Sequence, residues 1–159
     1  MEGVEQLISG WQLHPVADHF TIALLTIAIL VDLVSSLQPE RAWIRHMALT
    51  LMILGALAAA ASYATGDMEA DRVWKMMSAP AHDYFRGKDV RLFDGLLGHG
   101  ALGYYLMFVF GVLAIWRILI AMFNFMAGSH GLYLLLAVIA LILLLYQGHT
   151  GGELVYMYG

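Results

Sequence analysis

Residues 98–124 read GHGALGYYLMFVFGVLAIWRILIAMFN, and residues 131–147 read GLYLLLAVIALILLLYQ. The first run carries one charged side chain, Arg117, and the second carries none. Crossing a hydrocarbon core takes roughly 20 helical residues, so each run spans a bilayer by length and composition. Two earlier runs, Val16–Leu37 and Trp43–Ala64, have the same character. A strand crossing lipid alternates polar and apolar side chains, which none of these runs does. Backbone polar groups must be satisfied within the segment in lipid, and a helix does this by itself. The expected fold is an all-α integral membrane protein, a four-helix transmembrane bundle with both termini on the same side. It forms one domain over residues 1–159, with an extramembrane loop at 65–97.

Composition agrees. Of 159 residues, 61% are hydrophobic and 13% charged, too apolar a balance for an ordinary soluble domain. The chain has no cysteine, which excludes disulfides and thiolate or iron–sulfur ligation by this chain alone. A formal charge of −4 without a basic patch argues against nucleic acid as a partner. The opening MEGVEQ is acidic, unlike the basic start of a cleavable signal peptide, so the first apolar run reads as a true span.

Let side A be the face bearing the N-terminus. Gln38–Ala42, with Pro39, and Phe125–His130, with Gly128, are then side-B turns. The side-A segment Thr65–Leu97 mixes acids, bases and aromatics. It reads either as a solvated lid or as a short surface helix through Val73, Met76 and Met77. Arg41 and Arg45 crowd the short side-B turn, while five bases are spread over the side-A loop. Tally and density point opposite ways, so orientation stays open. The second span ends in small residues, Gly55, Ala56, Ala58, Ala59, Ala60, Ala61 and Ser62, which suit close helix packing or leave room for a flat cofactor.

Four of the seven histidines fall at side A. His14 and His19 open the first span in HPVADHF, His99 opens the third, and His149 closes the fourth in GHTGGELVYMY. His14 precedes Pro15, which fits a first helical turn because its missing N–H is unneeded there. A spacing of five turns two side chains about 140° apart, so His14 and His19 face different partners. Gly98 and Gly100 flank His99, and Gly151 and Gly152 follow His149. Such glycines let a porphyrin or another helix approach closely, although those after His149 also read as a helix C-cap. Neutral imidazole ligates haem iron, zinc or copper, with its second ring N–H held by a carboxylate or carbonyl, for which Asp18 and Glu153 are near. His46 and His130 fall on side B as interface residues or a second pair, and His82 lies in the loop. Asp32 and Arg117 lie inside spans at similar depth and are expected to form an intramembrane ion pair.

The HPxxxHF motif at His14–Phe20, Thr65-Gly66, His99 and the closing GHxGGxLVY at Gly148–Tyr156 resemble a family of small bacterial membrane proteins of unknown function. The resemblance covers essentially the whole chain, with Thr21 standing where that family usually has proline. Some of its members are fused to c-type cytochrome or Rieske-like modules, which implies redox company and a bacterial inner membrane.

The leading expectation is a b-type cytochrome, an electron-transfer subunit without independent catalysis. It would bind one or two haem b groups through His14, His19, His99 and His149, pairing the first span's histidines with those of the third and fourth. Its expected partners are the lipid bilayer, other redox membrane subunits or a cytochrome c or Rieske-type protein, and quinone. The alternatives are a non-haem zinc, copper or iron site, or a structural subunit of a larger membrane complex.

Overall fold

The computed structural model describes residues 13–76, 98–123 and 127–158, with side chains described outside 71–76, 127 and 153–158. Four helices order the chain: α1 (Leu13–Leu37), α2 (Ala42–Met76), α3 (His99–Phe123) and α4 (His130–Tyr158). All four are long and apolar enough to cross a membrane. Together they form the expected four-helix transmembrane bundle. A 3₁₀ turn, Ala127–Ser129, leads into α4. Around the bundle the order is α1, α2, α3, α4, so α1 stands diagonally across from α3.

The α1–α2 contact is the most extensive in the bundle, and its cause is legible in α2. Ile44, Ala48, Met52, Gly55, Ala59 and Ser62 recur at three- and four-residue intervals and are all buried. In lipid there is little hydrophobic drive between helices, so association depends on close packing. Gly55 permits the closest approach: a Cβ there would sit 2.5 Å from Leu25 Cδ2 of α1. Close packing thus accounts for this part of the small-residue run. The core continues through Leu25, Ile29, Met52, Leu106, Phe110, Tyr133 and Ala137. Large apolar side chains such as Leu57, Val112 and Ile142 point outward, where lipid solvates them.

Two helices run farther than the sequence suggests. The second span was expected to end near Ala64, yet α2 continues to Met76. The Thr65 hydroxyl donates to the carbonyls of Ala61 and Ser62, bonding back into the helix, and Gly66 remains helical. Val73 and Met76 therefore belong to this extension and not to a separate surface helix, while Met77 and His82 lie outside the described residues. The fourth span was expected to end at Gln147, yet α4 runs through Gly148, Gly151 and Gly152 to Tyr158. These glycines do not cap the helix. Gly148 and Gly151 are places of close approach: a Cβ on Gly148 would meet Ile22 Cδ1 at 2.9 Å, and one on Gly151 would meet His99 Cε1 at 2.5 Å.

The side-B half of the bundle holds a buried ion pair. Arg117 of α3 donates from Nε to Asp32 Oδ2 of α1 at 2.7 Å and from a second guanidinium nitrogen to Oδ1 at 2.9 Å. The Ser35 hydroxyl also donates to Asp32 Oδ1. His130 Nε2 lies 3.4 Å from the same oxygen, and the His130 ring stacks on Tyr133. Both charges are almost fully buried, so each depends on the other for solvation. Asp32→Ala or Arg117→Ala is expected to cost about 3–5 kcal/mol of stability, and the double variant less than the sum of the two. Thermal unfolding in detergent reads both effects; unchanged melting in the two single variants would refute the pair's structural role.

Candidate metal centre

At the side-A end the same two diagonal helices meet again through polar side chains. His14 stands in the first turn of α1, where Pro15 fits the helix start. His99 is the first residue of α3. Their rings approach edge to face, with centroids 5.8 Å apart. Asp18, one turn below His14 on α1, completes a group whose candidate ligand atoms all lie within 4.8 Å of one another. All three side chains are half-buried.

Each imidazole is held in a defined tautomer. His14 Nδ1 lies 3.0 Å from the Ser62 carbonyl oxygen, and His99 Nδ1 lies 2.9 Å from the Gln147 carbonyl oxygen. A carbonyl only accepts, so Nδ1 carries the proton in both rings and Nε2 carries the lone pair. This is the arrangement that prepares an imidazole to ligate a metal. Ser62 serves twice, since its hydroxyl also donates to Asp18 Oδ1. One residue of α2 therefore orients two members of the group.

Both rings lie directly against a neighbouring backbone. A Cβ on Gly66 would come within 2.8 Å of His14 Cε1, and one on Gly151 within 2.5 Å of His99 Cε1. These glycines make room for the imidazoles themselves. Among the described residues, no neighbour lies near the Cβ position of Gly152. Gly98 and Gly100 flank His99 at the start of α3.

The four expected ligands do not converge as one set. His14, His99 and Gln147 share one end of the bundle, as the even number of crossings requires. His19 is exposed, its Nδ1 donating to the Pro15 carbonyl at 2.6 Å, and it faces away from His14 as a five-residue spacing dictates. His149 is also exposed, two residues beyond Gln147. Asp18, expected as a supporting carboxylate, joins the group itself, while the Glu153 side chain lies outside the described residues. On side B, His46 is exposed on α2 and His130 stands beside Asp32, so these two do not pair.

Two contributors were missed in the sequence, Ser62 and Gln147. Ser62 sits in an alanine run and Gln147 closes an apolar one, so each is a polar side chain at membrane depth, the available signal. Gln147 is 4% exposed, its amide nitrogen lies 3.2 and 3.4 Å from Nδ1 and Nε2 of His99, and its Oε1 has no hydrogen-bond partner among the described residues. A Cβ on Gly103 would come to 3.5 Å from that amide.

The fold and this polar cluster define a four-helix membrane protein with a candidate metal centre at one end of its bundle. The chain belongs to the family described as "predicted membrane protein (DUF2231)", whose model matches residues 10–159. No curated protein and no solved structure matches it.

The two glycines after His149 are expected to behave differently. Gly151→Ala drives a methyl into the His99 ring and should cost about 1–3 kcal/mol. Gly152→Ala meets open space within a helix and should be neutral or stabilising by up to about 1 kcal/mol. Melting temperatures in detergent check the contrast.

Proposed function

We propose that this chain is a metal-binding membrane protein, with a transition-metal ion held by His14, His99 and Asp18 at the side-A end. The observation that carries the reading is a set of three ligand atoms within 4.8 Å of one another, two of them on imidazoles whose Nδ1–H groups are already bound to carbonyls. Two imidazoles and a carboxylate suit zinc, copper or iron. The carboxylate separates this donor set from a simple pair of axial imidazoles. The centre joins α1 to α3 and is oriented by α2 and α4, so binding should stabilise the whole bundle.

A second reading gives the same two imidazoles to haem b, and one observation favours it. His14 and His99 approach from diagonal helices with centroids 5.8 Å apart, near the separation of two imidazoles whose nitrogens lie roughly 4 Å apart across an iron. On this reading the chain is an electron-transfer subunit of a bacterial inner membrane. Its partners would be a cytochrome c or Rieske-type protein, another redox subunit, or quinone. A second haem would need His19 and His149, which face outward, and so would need ligands from a partner.

Metal analysis and a visible spectrum of the purified protein test both readings. Stoichiometric zinc, copper or iron without a Soret band supports the non-haem centre, and a Soret band with a sharp reduced α band supports haem. Neither metal nor haem would overturn the proposal. For a centre built as described, His14→Ala, His99→Ala and Asp18→Asn each lose most of the bound metal, whereas His19→Ala and His149→Ala retain it. Equal loss in all five variants would mean that a different set of residues holds the metal.

A further inference from the structure

The non-haem reading leaves Gln147 unexplained. Its side chain is buried, yet Oε1 has no partner among the described residues. A buried carbonyl oxygen without a hydrogen bond bears the full desolvation penalty, so a structure keeps one only where something else satisfies it. The other arm of the same amide lies against the His99 ring, 3.2 Å from Nδ1 and 3.4 Å from Nε2, the lone-pair nitrogen that faces a metal. The arms of a carboxamide are nearly equal in size, and a half-turn about the last torsion exchanges them. As it stands, the nitrogen arm packs against the ring between its two nitrogens. After the turn, the oxygen arm faces the ring, beside the nitrogen that carries the lone pair.

Resting on the non-haem metal reading, we infer that Gln147 Oε1 is the fourth ligand of the centre. Metal binding at His99 Nε2 draws the amide out from the ring, the amide turns, and Oε1 joins His14, Asp18 and His99 around the ion. The orphaned oxygen gains its partner in the same step. Four protein ligands make a closed centre, the kind that holds structure or passes electrons and does not activate a bound water. One ligand comes from α4, at the last residue of the expected span. The three others come from α1 and α3.

Cobalt(II) is the probe, added to the metal-free full-length protein in detergent, with azide as a reporter of an open coordination position. Wild type should take up one cobalt and show an intense tetrahedral d–d spectrum that azide leaves unchanged. Gln147→Ala should bind cobalt about tenfold or more weakly, a loss that even supporting groups around a metal produce. Its spectrum should respond to azide, because water now fills the fourth position. Gln147→Glu, which restores an oxygen donor, should recover both affinity and azide resistance. If Gln147 merely props His99, the alanine variant loses affinity yet its spectrum ignores azide, and the inference fails. It also fails if wild-type cobalt responds to azide, or if Gln147→Ala matches wild type in affinity and spectrum. Absence of cobalt binding by wild type would instead overturn the metal reading itself.

Discussion

The bundle depends on a diagonal constraint: α1 and α3 stand across from each other, and polar groups join them at both ends. On side B the joint is Asp32–Arg117, a two-bond ion pair with almost no exposure. On side A it is the approach of His14 and Asp18 to His99. Between the two ends the interior is apolar, filled by Leu25, Ile29, Leu106 and Phe110. In lipid, apolar packing gives helices little preference for one rotation over another. Buried charges and oriented imidazoles supply that preference, because each is costly unless it meets its particular partner.

The other two helices act as supports. Ser62 of α2 receives His14 through its carbonyl and donates to Asp18 through its hydroxyl. Gln147 of α4 receives His99 through its carbonyl and lays its amide along the ring. The side-A end is thus built from all four helices, with donors from the diagonal pair and orientation from the flanking pair. The glycines belong to the same design. Gly66 and Gly151 lie where imidazoles press against helix backbone, and Gly55 lies where Leu25 crosses α2. A methyl at any of the three would push apart helices that must touch.

Polarity is inverted relative to a soluble bundle. Large apolar side chains face out to lipid, and the costly groups are inside, each next to something that satisfies part of it. Among the described residues, Thr26 Oγ1 on α1 stands by itself without a hydrogen bond. The other exceptions lie at two places: Tyr133 Oη and His130 Nε2 near Asp32, and Gln147 Oε1 near His99. Such orphans collect where polar networks have been drawn into an apolar medium and invite an additional occupant.

Hydrophobic length alone determined four spans, their antiparallel succession and the gathering of His14 and His99 at one end, since an even number of crossings returns the chain to the same face. Charge in an apolar run likewise marked Asp32 and Arg117 as partners. Helix ends were less legible. Glycine and threonine stop a helix in water, but Thr65, Gly66, Gly151 and Gly152 lie within helices here: the Thr65 hydroxyl bonds back into its own helix, and Gly66 and Gly151 give the imidazoles the space they need. Membership of the site was decided by helix rotation. His19 and His149 share the face of the membrane with His14 and His99 but not the interior of the bundle, while Asp18, Ser62 and Gln147 turn inward beside the rings. Rotation follows from which ridges pack into which grooves across four helices at once, and no single run of sequence carries that information.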